Sequence, residues 1–312
     1  MPGKILIAAE LRDLLDDDPV PGSEVEWLPA DAPTPKGDEY VALVPLLSRW
    51  IGGGELKGLP NLKIVANCAV GVDNVDVVAA EMRSVTVTNT PDVLTESTAD
   101  LTWALILATT RRLKEGMDLV AGGEWKGWHP TQLLGMELGG ATLGIVGAGR
   151  IGQAVGRRAV PFGMRVVYAS RARKPAFESA TGAARRDMAQ LLGESHIVSL
   201  HVPSTPATKG LMDRDRFREM RAGSYLINTA RGDIVREPAL IEALDEGHLA
   251  GAGLDVFADE PGVPEDLVRH PRVVTLPHLG SATVETRKAM AQLAVRNVRA
   301  VLAGEGAVSS VF

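Results

Sequence analysis

A chain of 312 residues exceeds one average domain and suits two, each large enough to bury its own core. Its formal charge of −6, from 39 acidic and 33 basic side chains interspersed along the sequence, leaves no basic field for a polynucleotide, so no nucleic-acid partner is expected. The single cysteine, Cys68, excludes an internal disulfide framework, the histidines lack zinc-site spacing, and no apolar run approaches the ~18 residues that span a bilayer. A cytoplasmic protein with no metal and no membrane partner is expected. The N-terminus MPGKILIAAE leads straight into a strand-like segment rather than a signal peptide.

In chain order, short apolar runs at Lys4–Ala8, Tyr40–Val44 and Leu62–Ala66 are spaced by segments able to hold helices, the rhythm of a parallel α/β sheet. Pro19, Pro21, Pro29, Pro33 and Pro35 sit between the first two runs, so that stretch is expected to be irregular surface loop. From Glu96 to Arg112 the residues are hydrophobic nearly all round, which predicts a buried helix. Gly122, Gly123, Trp125 and Trp128 then form an exposed-looking loop. A second α/β series follows, with strands legible as ATLGIVG, RVVYAS, HIVSLHVP, GSYLINTA, AGAGLDVF and RVVTLPH. The last segment, Val284–Ala303, has a helical pattern in which Met290, Leu293, Ala294, Val298 and Val301 share a face.

The run Ala141–Val146 leads directly into Gly147-Ala148-Gly149-Arg150-Ile151-Gly152 and then an apolar-periodic helix. A bare GxGxxG is weak, but a strand before it and a helix after it make the dinucleotide reading strong. Gly147 permits the tight turn, Gly149 lets the backbone approach a pyrophosphate, and Gly152 lets helix and strand pack closely. The helix N-terminus adds free N–H groups and a partial positive charge. The alternative is that these glycines serve a turn only.

An NAD-binding unit usually carries an acid about 20 residues beyond the glycines, on the ribose 2′-hydroxyl. Here the second strand ends Ser170-Arg171-Ala172-Arg173-Lys174, with no acid. Ser170, Arg171 and Arg173 would give a 2′-phosphate charge-assisted donors, so NADPH (NADP) is expected over NAD. An ordinary solvated basic loop is the competing reading.

Three later segments place ionisable residues just after strands, where open α/β sheets bind ligands: NTARGDIV, GLDVFADEP and LPHLGSAT. Reduction of a keto acid needs a cation for the carboxylate and carbonyl and an acid for the new alkoxide; Arg231, Glu260 and His278 are of those types. With NCAVGVDNVDV at Asn67–Val77, NTPDVLTESTADL at Asn89–Leu101, LGIVGAGRIG at Leu143–Gly152 and LHVPSTPATKGLM at Leu200–Met212, these segments run in order over nearly the whole chain. Together they resemble the D-isomer-specific 2-hydroxyacid dehydrogenases, and within them the glyoxylate/hydroxypyruvate reductases.

The resemblance implies a Rossmann domain over residues 99–283 inserted in a flavodoxin-like substrate domain over 1–98 and 284–312. It further implies NADPH-dependent reduction of small 2-keto acids, glyoxylate and hydroxypyruvate, to D-2-hydroxy acids, and a homodimer. Arg231 matches the arginine that holds the carboxylate and polarises the carbonyl, His278 the proton donor, and Glu260 the carboxylate that orients that imidazole. Backbone amides near Val70 and Gly71 match the loop that receives the substrate carboxylate, and Leu46 and Leu47 are expected to line the pocket. Asp255 matches the residue near the nicotinamide carboxamide. Val202, Pro203, Thr208, Thr229 and Ala230 match the cofactor cleft, and Thr98, also expected to bind cofactor, matches its interdomain side. EWKGWHP resembles the tryptophan-bearing loop of the reductases, which makes Trp128 a candidate for the substrate pocket; tryptophans in a glycine-flanked loop are typical interface anchors, so Trp128, ahead of Trp125, is expected to be intersubunit. Two alternatives stay open: a dehydrogenase of bulkier D-2-hydroxy acids using either cofactor, and a dinucleotide-sensing regulator like the C-terminal-binding-protein corepressors. Turnover of glyoxylate with NADPH separates an enzyme from the regulator.

Overall fold

The structure, a computed structural model, describes residues 3–312 and divides the chain into two units, 1–94 with 281–312 and 95–280. The expected boundary at residue 98 falls inside a helix, Thr95–Thr110, so the division lies one turn earlier.

The first unit is a five-stranded parallel sheet of β1 (Lys4–Ala8), β2 (Glu24–Leu28), β3 (Tyr40–Val44), β4 (Ile64–Ala66) and β5 (Thr86–Thr88), in the order β2-β1-β3-β4-β5. That is the flavodoxin-like doubly wound order. Ile5, Leu6, Ile7, Leu43, Val44, Ile64 and Val65 are fully buried, as strands covered on both faces must be. The proline-rich stretch corrects one expectation, because it contains the edge strand β2. Its prolines flank EVEWL rather than interrupt it, and an edge strand pairs on one side only. Helix Val284–Ala303 starts at Thr283, whose hydroxyl accepts the Thr286 N–H. It buries Met290, Leu293, Ala294 and Val298, and the chain end beyond it pairs at Ser310 with Thr88 of β5.

The second unit is a seven-stranded parallel sheet. Its strands are β6 (Thr142–Val146), β7 (Arg165–Ala169), β8 (Ala184–Arg185), β9 (Ile197–Leu200), β10 (Ser224–Asn228), β11 (Leu249–Leu254) and β12 (Val273–Thr275). The order β8-β7-β6-β9-β10-β11-β12 is the Rossmann arrangement extended by one strand, with its switch point between β6 and β9. Helix Thr95–Thr110 lies against β10 and β11. A Cβ at Gly251 or Gly253 would press on Thr109 or Leu105, so the glycines of AGAGL let that helix lie close. Its Trp103 donates to the Val155 carbonyl at 3.0 Å and stacks on Phe162 at 4.5 Å between centroids. Beyond it, helix Leu113–Ala121 buries none of its residues.

Candidate active site

The glycine turn after β6 has separable causes for each glycine. Gly147 has φ +98°, and a side chain there would meet the His201 carbonyl after β9, so both backbone and space require glycine. A Cβ on Gly152 would overlap the Gly147 carbonyl, which keeps helix Arg150–Ala159 tight on the strand. Gly149 is different: its φ is ordinary and a Cβ would meet nothing in the protein. The glycine there leaves room for something outside the chain, at an exposed helix N-terminus on the switch point, so these residues fit a dinucleotide pyrophosphate. Arg150 and Ile151 open that helix, and Val202, partly exposed, and Pro203, exposed, stand across the switch point. Thr208 pins the segment beyond them, taking the Thr205 N–H and donating to the Pro203 carbonyl.

The loop after β7 is held from several sides. Glu178 accepts the Tyr168 hydroxyl at 2.6 Å and both the Nε and the guanidinium end of Arg173, and the Lys174 N–H donates back to the Tyr168 oxygen. Hydrogen bonds from Arg173 and then Tyr168 hold the Glu178 carboxyl below the usual carboxylate range. Arg173, read from the sequence as a phosphate donor, turns its Nε and one terminal nitrogen to Glu178. The Arg171 side chain is exposed and makes no hydrogen bond or ion pair among the described residues. Sequence reasoning missed Arg185, whose guanidinium donates to the carbonyls of Ser170 and Arg171 at 3.1 and 3.2 Å. It sits on a two-residue strand, too short for periodicity to register. Arg173, Arg185 and Arg186 line a groove of about 700 Å³ beside this loop.

The three ionisable segments meet at the ends of β10, β11 and β12. After β10, Asn228 takes the Ala230 N–H and donates to the Arg231 carbonyl, closing a tight turn. Gly232 touches β11's extension so closely that a Cβ would overlap the Phe257 carbonyl. Arg231 is thereby carried to the side of Glu260, whose carboxylate its charge stabilises. Thr229 turns its hydroxyl inward to Thr102 at 2.8 Å, and the carbonyl of Thr98, itself 4% exposed, accepts the Thr102 hydroxyl. What Thr229 offers outward is therefore backbone.

Asp255, fully buried at the end of β11, is the anchor of this corner. Its carboxylate accepts the N–H groups of Leu279 and Gly280 at 2.7 and 2.8 Å, and its carbonyl accepts that of His278 at 2.9 Å. Between them His278 is held at φ +56°, a conformation uncommon outside glycine and sustained only when its surroundings enforce it. Burial raises the Asp255 carboxyl to about 6 against the opposing pull of those N–H groups and of His278. The His278 Nδ1 donates to Glu260 Oε2 at 2.7 Å, while Glu260 Oε1 accepts the Phe257 N–H. Burial alone would raise the Glu260 carboxyl, but the hydrogen bonds from His278 and Phe257, with the charges of His278 and Arg231, hold it below the ordinary range. With Nδ1 committed, His278 Nε2 is the ring nitrogen left to exchange a proton.

In the first unit, Val70 and Gly71 are partly exposed, and neither N–H is bonded among the described residues. Leu46 and Leu47 follow β3 and are likewise partly exposed. Trp128 and Trp125 are 82% and 55% exposed. Among the described residues no group of three or more acidic, histidine or cysteine side chains could hold a metal ion, and no helix is long and apolar enough to cross a membrane.

Residues 103–280 match the model of the D-isomer-specific 2-hydroxyacid dehydrogenase NAD-binding domain. The chain is 48% identical to a glyoxylate reductase of Thermococcus kodakarensis over 286 residues, covering 90% of this chain and 86% of that protein. It is 44% identical to that of Pyrococcus horikoshii over 316 residues, covering 98% and 94%. Among solved structures, the NADPH-dependent glyoxylate/hydroxypyruvate reductase of Sinorhizobium meliloti, in complex with NADP and malonate, superposes with a TM-score of 0.88 at 33% identity. That match covers all of this chain and 97% of the other. The D-lactate dehydrogenase of Aquifex aeolicus, complexed with NAD and lactic acid, gives 0.86 at 26% identity over 96% of each chain.

Proposed function

Since the chain belongs to the D-isomer-specific 2-hydroxyacid dehydrogenases, NAD(P)-dependent oxidoreductases acting on CH–OH donors, we propose that it reduces small 2-keto acids, glyoxylate and hydroxypyruvate first, to D-2-hydroxy acids with NADPH. The observation that carries this reading is the His278–Glu260 pair, set on a turn that Asp255 locks and flanked by Arg231. A reduced nicotinamide dinucleotide, held at the Gly147–Gly152 turn, would supply the hydride for the keto carbon. The guanidinium of Arg231 binds the substrate carboxylate and draws charge from the carbonyl oxygen. As that oxygen becomes an alkoxide, His278 Nε2 gives it a proton, and Glu260 stabilises the ring through Nδ1. The unbonded amides at Val70, Gly71 and Val72 are suited to a carboxylate oxygen.

Cofactor choice rests on the loop after β7. The place of the ribose-binding acid is taken by Ser170, followed by Arg171, whose guanidinium is uncommitted and suited to a 2′-phosphate. The same reading includes a homodimer. Its support is the exposed apolar row Leu113, Met117 and Val120 on a helix that buries nothing, with Trp125 and Trp128 beyond it. A cytoplasmic location is consistent with the lone unpaired Cys68.

The test is initial-rate kinetics with glyoxylate, hydroxypyruvate, pyruvate and a bulkier keto acid, each with NADPH and NADH, on wild type, His278→Ala and Glu260→Gln. We expect turnover of the first two substrates. His278→Ala should lower kcat roughly 10²–10⁴-fold with NADPH affinity little changed, and Glu260→Gln should lower it less. Tight NADPH binding without turnover of any keto acid would replace the enzyme by a dinucleotide sensor.

A further inference from the structure

Three asparagines of the first unit converge on the loop whose amides the proposed function uses, and none of them belongs to the catalytic set. Asn89 Nδ2 donates to the Val70 carbonyl at 2.8 Å. Asn67 Nδ2 donates to the Gly71 carbonyl at 2.8 Å. Asn67 is fully buried and forms a reciprocal amide pair with buried Asn74, with Nδ2-to-Oδ1 distances of 2.9 and 3.0 Å. Asn74 Nδ2 also reaches the carbonyls of Leu46 and Arg49 at 3.2 and 3.1 Å, which ties the segment after β3 to the same loop. Asn89 is fixed in turn from behind. Its carbonyl accepts the Ser309 hydroxyl, and Ser309 exchanges hydrogen bonds with buried Asn297 on the C-terminal helix.

This arrangement has a geometric consequence. In a planar trans peptide the carbonyl and the following N–H point in opposite directions. An amide donor that draws the Val70 carbonyl inward therefore turns the Gly71 N–H outward, and one that draws in the Gly71 carbonyl turns out the N–H of Val72. Both N–H groups are on partly exposed residues and lack a partner among the described residues, although backbone donors are rarely left so. The two neighbouring peptides thus each turn an N–H group away from the asparagines, donors of the kind that an anion takes up. Asparagine suits the inner positions because its amide both donates to the loop and accepts from a neighbour. Serine could not span both contacts, and aspartate would set oxygen against carbonyl oxygen.

We infer that Asn67, Asn74 and Asn89 are positioning residues for substrate recognition: they aim the Gly71 and Val72 N–H groups at the keto-acid carboxylate and register the Leu46–Arg49 segment beside it. The inference rests on the proposed function, which supplies the carboxylate. Loss of one asparagine should weaken binding of the acid while leaving the hydride-transfer machinery of the second unit in place.

The experiment uses the full-length enzyme and three variants. Asn89→Ala removes the donor to Val70 at a half-buried position. Asn67→Asp is isosteric and replaces the donor that faces Gly71. Asn61→Ala is the control, since Asn61 makes a similar side-chain bond, to the Asp38 carbonyl in the same unit, remote from this loop. For each, KM for glyoxylate, kcat, KM for NADPH, the Kd of oxamate with NADPH present, and the melting temperature are measured. Asn89→Ala and Asn67→Asp should raise glyoxylate KM and oxamate Kd about tenfold or more, with kcat and NADPH KM within about twofold of wild type. Asn61→Ala should leave both binding constants unchanged. Unchanged KM and Kd in the two loop variants, whatever their melting temperatures, would overturn the inference. So would a kcat loss with no binding defect. A wild-type chain that neither turns over keto acids nor binds oxamate overturns the proposed function itself, and this inference with it.

Discussion

Asp255 shows how one buried carboxylate can organise a site through the backbone N–H groups it accepts. Its two oxygens and its carbonyl take three consecutive N–H groups, from His278, Leu279 and Gly280, and so sustain the left-handed conformation of His278. That order costs stability, because burial lifts the carboxyl to about 6, above the ordinary 3.8. The folded protein then binds this proton more tightly than the unfolded chain. The group's contribution is greatest below the unfolded value and is lost as pH rises through about 6. Asp255→Asn removes the titration but also one acceptor, leaving the Gly280 or Leu279 N–H unmet. Relative to wild type, the variant should gain stability as pH rises from 4 to 7, by up to about 3 kcal/mol, while kcat falls because His278 is no longer held. Urea unfolding of both proteins at pH 4, 5, 6 and 7 measures the difference. A variant–wild-type gap independent of pH would mean that Asp255 does not titrate in this window.

At the level of elements, the proposed preference for NADPH rests on the loop between β7 and helix Pro175–Thr181, whose parts are unequally legible in the sequence. The missing acid and the run Ser170-Arg171-Ala172-Arg173 can be read directly. That Arg173 is drawn to Glu178, or that Arg185 from edge strand β8 holds the carbonyls of Ser170 and Arg171, cannot be, since both depend on side chains meeting across the fold. The same division holds elsewhere. The buried runs of β1, β3, β6 and β9 and the amphipathic period of Val284–Ala303 announce themselves through hydrophobicity. β2 is masked by the prolines around it, and β5 and β8 are too short to show a pattern. Likewise His278, Glu260 and Arg231 stand out by type and order, whereas the asparagines behind Val70 look like any loop residues until their acceptors are seen. For the loop, the expected outcome is a graded one. Arg171→Ala should lower the NADPH-over-NADH ratio of kcat/KM tenfold or more, because a charge-assisted phosphate contact is worth roughly 1.5–3 kcal/mol. Arg185→Ala, which loosens the loop, should lower it by less, and Arg173→Ala least of all. Binding of 2′,5′-ADP against 5′-AMP by calorimetry provides the check; equal affinity of wild type for the two would show that no 2′-phosphate site exists.

For the whole molecule, the question is what covers the apolar surface of helix Leu113–Ala121 and the loop after it. Met117, Val120 and Trp128 are 71%, 63% and 82% exposed, and Leu134 is 64% exposed. Isolated exposed hydrophobics are ordinary, but a helix with a strongly apolar face and no buried residue contributes little to its own unit's core. A second copy of the chain would bury that face, and a tryptophan at a loop tip is the residue type that most often anchors such a contact. In the proposed homodimer, wild type should sediment at twice the mass of one chain. Trp128→Ala should shift the equilibrium toward single chains by about 30-fold or more in Kd, the scale of a ~2 kcal/mol anchor. Kinetics then separate two roles for the tryptophan. If it serves assembly alone, glyoxylate KM for the variant returns to the wild-type value at concentrations high enough to restore the dimer. If it also lines a substrate pocket, KM stays raised in the restored dimer while NADPH KM does not change. Wild type that sediments as one chain at micromolar concentration would remove the dimer, and an intact dimer with unaltered KM in Trp128→Ala would remove both roles for this residue.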